Sequence, residues 1–340
     1  MSENASYRLS DTALLSVSTV DAPEVVTSDH IDERLQSVYE ETGMLSGQIE
    51  RLAGVRSRRW FGADEDYTDG AVEAGHRALQ DAGVDASQVG LCLNASVTRP
   101  HLEPGISAKV HAQLGLPRSC LAFDITNACL GVVNAIHVAG TMIDAGQIEY
   151  ALIVASEGAR QMQEASIARL TAGGATKQDV KDAFATMTLG SGAVGLVLGR
   201  ASDHPEGHRV VGGIVRAGTE HHELCVGGMD GMRTDSRRLF VEGLTLATEA
   251  WNEAKEEWDW SDMDWYIAHQ TSIAHIKGLC ETLDLPMEKF PLTIDTYGNI
   301  GPVALPFTLG VNQHRMTKGQ RVLLMGIGSG LNTAFTEVEW

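Results

Sequence analysis

The sequence predicts an α/β fold built from two duplicated halves, and three observations carry that prediction. Short apolar runs alternate with segments of helical period, the pattern of sheets covered by helices. One strand-turn-helix-strand plan occurs twice. Cys129-Leu130-Gly131 opens an apolar helix and leads, about 22 residues on, to an apolar strand at Ala151. Asn299-Ile300-Gly301 opens another and leads, about 23 residues on, to a strand at Val322, a repeat period near 170. The 36 glycines come without a low-complexity run, so they read as tight turns between strands and helices.

Taken in order, Ala13–Val20 is a strand-like run, and a polar helical pattern covers Ser28 to about Glu41. The basic stretch Arg56-Ser57-Arg58-Arg59-Trp60 follows. Tyr67–Ala82 has helical spacing, and Val89–Val97, nearly all apolar, is a strand of the doubly buried type. Two prolines and a glutamate mark Thr98-Arg99-Pro100-His101-Leu102-Glu103-Pro104-Gly105 as a loop. Ser107–Leu114 reads as a helix, Leu121–Ile125 as a buried strand, and Tyr150–Ala155 as the strand after the buried helix. Residues 159–185 are charged and helical, broken at Gly173-Gly174, and read as an insertion lying over the core. Ala193–Leu198 closes a first half, residues 1–202, and Asp203-His204-Pro205-Glu206-Gly207 has linker composition. Residues 208–340 form the second half, with an apolar strand at Trp265–His269.

Composition narrows the function classes. A hydrophobic content of 43% with 21% charged residues is that of a globular protein with a sizeable core. The net charge of −19 argues against nucleic acid as a partner. Five dispersed cysteines without CxxC spacing indicate neither a disulfide framework nor a zinc site. Ile125–Met142 lacks Asp, Glu, Lys and Arg over nearly a bilayer's thickness. It holds Asn127, Asn134 and His137, however, and a strand runs into it, so a helix buried in a soluble protein is expected. The polar N-terminus lacks a basic leader, which places the protein in the cytoplasm.

The stretch Phe123–Ala135 draws the rest together. A strand ends in polar residues, Cys129 follows, and then comes the run of small and apolar side chains. A cysteine at a helix N-terminus meets free N–H groups and a partial positive charge, which stabilise a thiolate and can later hold an oxyanion. By itself such a residue is equally a buried inert thiol. His269 follows its strand, and Asn299 sits in a Gly-Asn turn; each alone reads as structural. The duplication brings them to comparable points, because groups at strand ends and helix N-termini cluster in such folds. Three other patterns carry no chemistry. Gly190–Gly195 fits GxGxxG but runs into a strand, Gly326–Gly330 leaves too little chain for a nucleotide-binding unit, and His221-His222-Glu223 with Cys225 matches no metal-ligand spacing.

Asn127-Ala128-Cys129, Ile267-Ala268-His269-Gln270, Gly298-Asn299-Ile300-Gly301-Pro302 and Gly326-Ile327-Gly328-Ser329-Gly330, in this order over almost the whole chain, resemble the thiolase superfamily. Within it the chain resembles the ketoacyl synthase III branch. The loop His101-Leu102-Glu103-Pro104 and the turn Gly326–Asn332 are similar to those of the head-to-head condensing enzymes of bacterial olefin biosynthesis. That resemblance implies a five-layered α-β-α-β-α thiolase fold, a homodimer, and a Cys129-His269-Asn299 triad.

It implies, further, that Cys129 takes the acyl group of a long-chain acyl-CoA, with the N–H groups of Cys129 and Ser329 as oxyanion hole. Glu103, lent to the partner subunit's site, would be the base for a second acyl-CoA, since no carbon dioxide leaves to form the enolate. Arg56, Arg58 and Arg59 are candidates for the CoA phosphates; no cofactor and no metal is expected, coenzyme A thioesters being substrates. Downstream olefin-pathway enzymes are the implied partners. The competing readings are a decarboxylating 3-oxoacyl-carrier-protein synthase III, a hydroxymethylglutaryl-CoA synthase relative, and a non-catalytic thiolase-fold scaffold.

Overall fold

The structure, a computed structural model, describes residues 6–340. The first half contains β1 (Ser6–Arg8), β2 (Thr12–Asp21), β3 (Glu24–Thr27), α1 (Ser28–Arg34), α2 (Gln36–Thr42), β4 (Ser57–Trp60), α3 (Asp69–Ala82), β5 (Val89–Asn94) and α4 (Ile106–Gln113). It continues through β6 (Leu121–Asp124), α5 (Gly131–Asp144), β7 (Tyr150–Glu157), α6 (Arg160–Thr171), α7 (Lys177–Met187) and β8 (Gly192–Arg200). The second half holds β9 (His208–Ala217), β10 (Cys225–Gly228), β11 (Gly231–Thr234), α8 (Ser236–Ala254), β12 (Trp265–Ala268) and α9 (Ile273–Leu283). After these come α10 (Ile294–Tyr297), α11 (Ala304–Asn312), β13 (Arg321–Gly328) and β14 (Asn332–Glu339).

Nine strands follow one hydrogen-bonded path, β12-β13-β14-β9-β2-β8-β7-β5-β6; β1 pairs with β9 off this path, and β3·β4 and β10·β11 are separate two-stranded sheets. From the centre of the path the pairing runs the same way in both directions. β2·β8 and β8·β7 are antiparallel and β7·β5 parallel; β9·β14 and β14·β13 are antiparallel and β13·β12 parallel. Between β2 and β9 only Ala13↔Arg209 and Leu14↔His208 pair, so two half-sheets meet at one corner.

Side-chain alternation turns them into layers. Leu91, Ile153 and Leu196 face a central core shared with Ile267, Val322 and Leu324 of the other half. Their neighbours Cys92, Leu152 and Val197 face outward under α3 and α4, while Tyr266, Leu323 and Phe335 face outward under α8 and α9. Both faces of each half-sheet are therefore buried, which is why the strands read as continuous apolar runs. α5 and α11 fill the central layer, giving five layers in the order α-β-α-β-α.

Several expectations change. The polar helix over Ser28–Glu41 is two helices broken at Leu35. Leu121–Ile125 is not a buried strand: β6 is outermost in its half-sheet, with Leu121 51% and Phe123 36% exposed. Cys129 lies ahead of α5 and not inside its first turn. The insertion becomes α6 and α7, which pack on α1 and α2 in a satellite core through Leu35, Val38, Ile167 and Val180. Among the described residues no helix is long and apolar enough to cross a membrane.

Candidate active site

The nucleophile turn is held by backbone. Ile125 donates its N–H to Asn94 O (2.9 Å), ending β6 against β5, and Leu130 donates to Asn127 O (2.9 Å). Between them Ala128 takes φ of 46°, a left-handed conformation that costs an L residue energy and persists only where the surroundings enforce it. The turn projects Cys129 into a cavity of about 990 Å³. Burial pushes the Cys129 thiol well above the ordinary cysteine range, with Cys225 and Glu157 adding to the shift. That shift opposes the expected thiolate: the loss of water around the sulfur acts against the N–H groups near the start of α5.

His269 stands at the end of β12, its N–H donated to Met325 O (2.8 Å). It is 1% exposed, and neither ring nitrogen has a hydrogen-bond partner. Burial, with His275 adding, lowers its pKa to about 3, so the imidazole is neutral. Asn299 is fixed by its backbone, donating to Thr188 O and accepting from Gly190 N–H (both 2.9 Å). Its Oδ1 accepts from Gly301 N–H (2.9 Å), which leaves the Nδ2 protons as donors. Cys129, His269 and Asn299 line the same cavity, as does Ser329 in the turn after β13. Gly328 abuts the nucleophile: a Cβ there would sit 3.1 Å from the Cys129 nitrogen.

From this polar end the cavity runs into the satellite core. Leu35, Tyr39 and Ile49 line one side and Leu170, Val180 and Phe184 of the insertion the other. Its wall also includes three cations, Lys181, Arg233 and Arg237, all exposed, whose side chains make no ion pair or hydrogen bond among the described residues. Sequence reasoning missed them because they come from α7, β11 and α8, which are brought together only by packing.

It also missed Cys225, which begins β10, lines the cavity and lies close enough to raise the Cys129 pKa. A second omission is His275, on α9. It is buried edge-on to Phe240, lowered to about 4 by burial, and has an unpartnered Nδ1. Its place six residues after His269, on the helix that follows β12, was the one available signal.

Within the basic stretch Arg58 is a correction. Arg58 is fully buried, its guanidinium donating to Met187 O (2.9 Å) and Ser28 Oγ (3.1 Å), so it cannot meet a phosphate. Arg56 pairs with Asp295, Arg59 lies over the Tyr297 ring, and none of the three lines the cavity. Glu103 is exposed on its loop and does not line its own chain's cavity either.

The arrangement suits nucleophilic acyl transfer: a thiol, a neutral imidazole able to take its proton, an amide donor, and an apolar space beside them. Comparison with known proteins agrees. The N-terminal domain family of thiolase matches residues 61–200, and the C-terminal family of 3-oxoacyl-[acyl-carrier-protein] synthase III matches residues 254–340. An acyl-CoA:acyl-CoA alkyltransferase of Xanthomonas campestris is 36% identical over 325 residues, covering 94% of this chain and 96% of that protein. One of Shewanella oneidensis is 32% identical over 335 residues, with the same coverage of 94% and 96%. A crystal structure of Xanthomonas campestris OleA, with cysteine replaced by serine and with bound lauric acid and lauroyl-CoA, is similar at a TM-score of 0.95. It is 34% identical and covers 98% of this chain and 100% of that one.

Proposed function

This chain belongs to the acyl-CoA:acyl-CoA alkyltransferase family of the thiolase superfamily, and on that premise we propose that it joins two long-chain acyl-CoA molecules by a Claisen condensation without decarboxylation. The observation that carries the reading is the convergence of Cys129, His269 and Asn299 at one end of a long apolar cavity. The Cys129 sulfur attacks the first thioester as His269 accepts the thiol proton; the acyl group moves to sulfur and coenzyme A leaves as the thiol. The N–H groups of Cys129 and Ser329 hold the oxyanion. Glu103 of the partner subunit takes the α-proton of the second acyl-CoA, and the enolate, hydrogen-bonded by His269 and Asn299, attacks the acyl-enzyme carbonyl. The carbon–carbon bond forms, the carbon–sulfur bond to Cys129 breaks, and the sulfur regains a proton. Water then hydrolyses the remaining thioester to a 2-alkyl-3-oxo acid and a second coenzyme A.

Both coenzyme A molecules are substrates, and no cofactor takes part. Lys181, Arg233 and Arg237 replace Arg58 and join Arg56 and Arg59 as the groups for their phosphates, being exposed cations on the cavity wall, without side-chain partners among the described residues, in a chain of net charge −19. The protein acts as a cytoplasmic homodimer and passes its product to olefin-forming enzymes. The reaction class that must follow is reduction of the 3-oxo group.

Cys225 favours a second reading for the base, since biosynthetic thiolases use a second cysteine and this one reaches the cavity of its own chain. One experiment separates these possibilities. Myristoyl-CoA supplied alone should yield a long-chain ketone as the oxo acid loses carbon dioxide; turnover only with a malonyl thioester would favour the decarboxylating synthase. Glu103→Ala should take up the first acyl group, seen by mass spectrometry, yet form no ketone, while Cys225→Ala condenses. The opposite pattern assigns the base to Cys225.

A further inference from the structure

Gly328-Ser329-Gly330-Leu331-Asn332 carries a feature the reaction as described does not use. The Asn332 side chain turns back over its own loop, and its Nδ2 donates to Ser329 O (3.4 Å) and to Asn127 Oδ1 (3.2 Å). Asn127 in turn donates from Nδ2 to Asn134 Oδ1 (2.8 Å), on the second turn of α5. One chain of three part-buried amides therefore ties the glycine turn after β13 to the residue two before the nucleophile, and both to α5.

The neighbouring glycines fit this arrangement. A Cβ at Gly330, whose φ is 141°, would lie 2.3 Å from the Asn332 Nδ2, so a side chain there would evict the amide. At Gly328 it would press on the Cys129 nitrogen (3.1 Å). Each glycine is thus matched to one end of the link. Ala128, in its costly left-handed conformation, lies between Asn127 and Cys129, and the link is one of the contacts that hold it there.

We propose that Asn332, acting through Asn127, is a positioning residue for acyl transfer: the amide chain fixes the Cys129 and Ser329 N–H groups relative to each other so that both meet one oxyanion. The inference rests on the condensing-enzyme reading. Oxyanion stabilisation depends on donor placement, and a shift of about 1 Å costs roughly 100-fold in rate. Attack of the same sulfur on an alkyl halide develops no oxyanion and does not need that placement.

The test is Asn332→Leu, which keeps the size, adds no charge and loses the donor. Acyl-enzyme formation with myristoyl-CoA should fall roughly 10- to 100-fold. KM and the rate of Cys129 alkylation by iodoacetamide should stay at wild-type values. Asn134→Leu keeps the bond from Asn332 to Asn127 and removes only the acceptor of the Asn127 Nδ2, and should show a smaller fall in acylation with alkylation again unchanged. Acylation by Asn332→Leu at the wild-type rate, or an equal fall in acylation and alkylation, overturns the proposal. A wild-type protein that takes up no acyl group overturns the condensing-enzyme reading itself, which separates the two failures.

Discussion

At the scale of single residues, the protonation states of Cys129 and His269 are set by lost water more than by neighbouring charge. A thiol whose pKa is raised by burial is a thiolate only in small fraction at neutral pH. Its alkylation by iodoacetamide should therefore climb about tenfold per pH unit from pH 7 to 9. A plateau below pH 8 would mean that the turn before α5 does lower its pKa after all. His269, neutral down to about pH 3, should contribute no break to the acylation rate between pH 5 and 8. The cations on the wall give a second prediction. Arg233→Gln with Arg237→Gln should raise KM for myristoyl-CoA about tenfold and leave a myristoyl-pantetheine thioester, which lacks the nucleotide, unaffected. Equal effects on both would remove these residues from phosphate binding. Cys129 and His269 were legible because each follows an apolar strand, and Asn299 because it opens the matching turn and helix of the repeated plan. Arg58 was misread because a sequence does not distinguish a cation in water from one folded beneath a helix pair.

Among the elements, the loop that carries Glu103 depends on a carboxylate outside the cavity. Glu157, the last residue of β7, accepts the N–H groups of Val97 (2.6 Å) and Thr98 (3.1 Å), where β5 gives way to the loop. Burial raises its pKa to about 7 despite those donors, against 4.5 for a free glutamate. Between these values the folded chain keeps a proton that the unfolded chain has released. The stability owed to Glu157 therefore falls as pH rises from about 4.5 to 7 and is level above. Glu157→Gln, which cannot ionise, should gain on the wild type in unfolding free energy, read by denaturant titration, by on the order of 2 kcal/mol as pH goes from 5 to 8. A constant difference across that range would show that Glu157 is already ionised in the fold. Nothing in the sequence singled out Glu157, because its role depends on β5 and β7 lying side by side in parallel register. The break at Leu35 was hidden for a related reason: the helical period of residues 28–41 continues across it, and the turn is set by packing on α6 and α7.

For the molecule as a whole, the proposed exchange of a carboxylate between subunits needs a face for the second copy. β6 offers one, an edge strand with Leu121 and Phe123 exposed, and the loop bearing Glu103 shares that half of the protein with exposed Val97 and Leu102. Leu121→Lys with Phe123→Glu should produce a monomer by light scattering that still takes up an acyl group but forms no ketone. A monomer that condenses at the wild-type rate would rule out a base from the partner. Helix-covered sheets in two halves were legible from the alternation of strands and helices and from the duplicated motif; the five-layer order came from the resemblance of the four motifs to the thiolase superfamily. The exposed edge was not legible, since Leu-Ala-Phe-Asp at residues 121–124 has the same composition whether covered or bare.

The duplication is also incomplete. The first half extends beyond its parallel pair by β6, whereas the second ends at β12, four residues with no exposed large apolar side chain. The two ends of the path therefore differ in what they offer a second copy. A contact made through β6 alone would meet its own image across a twofold axis and be used up, so growth through it would stop at a closed pair, where a symmetric ancestor with two such rims could have polymerised into filaments.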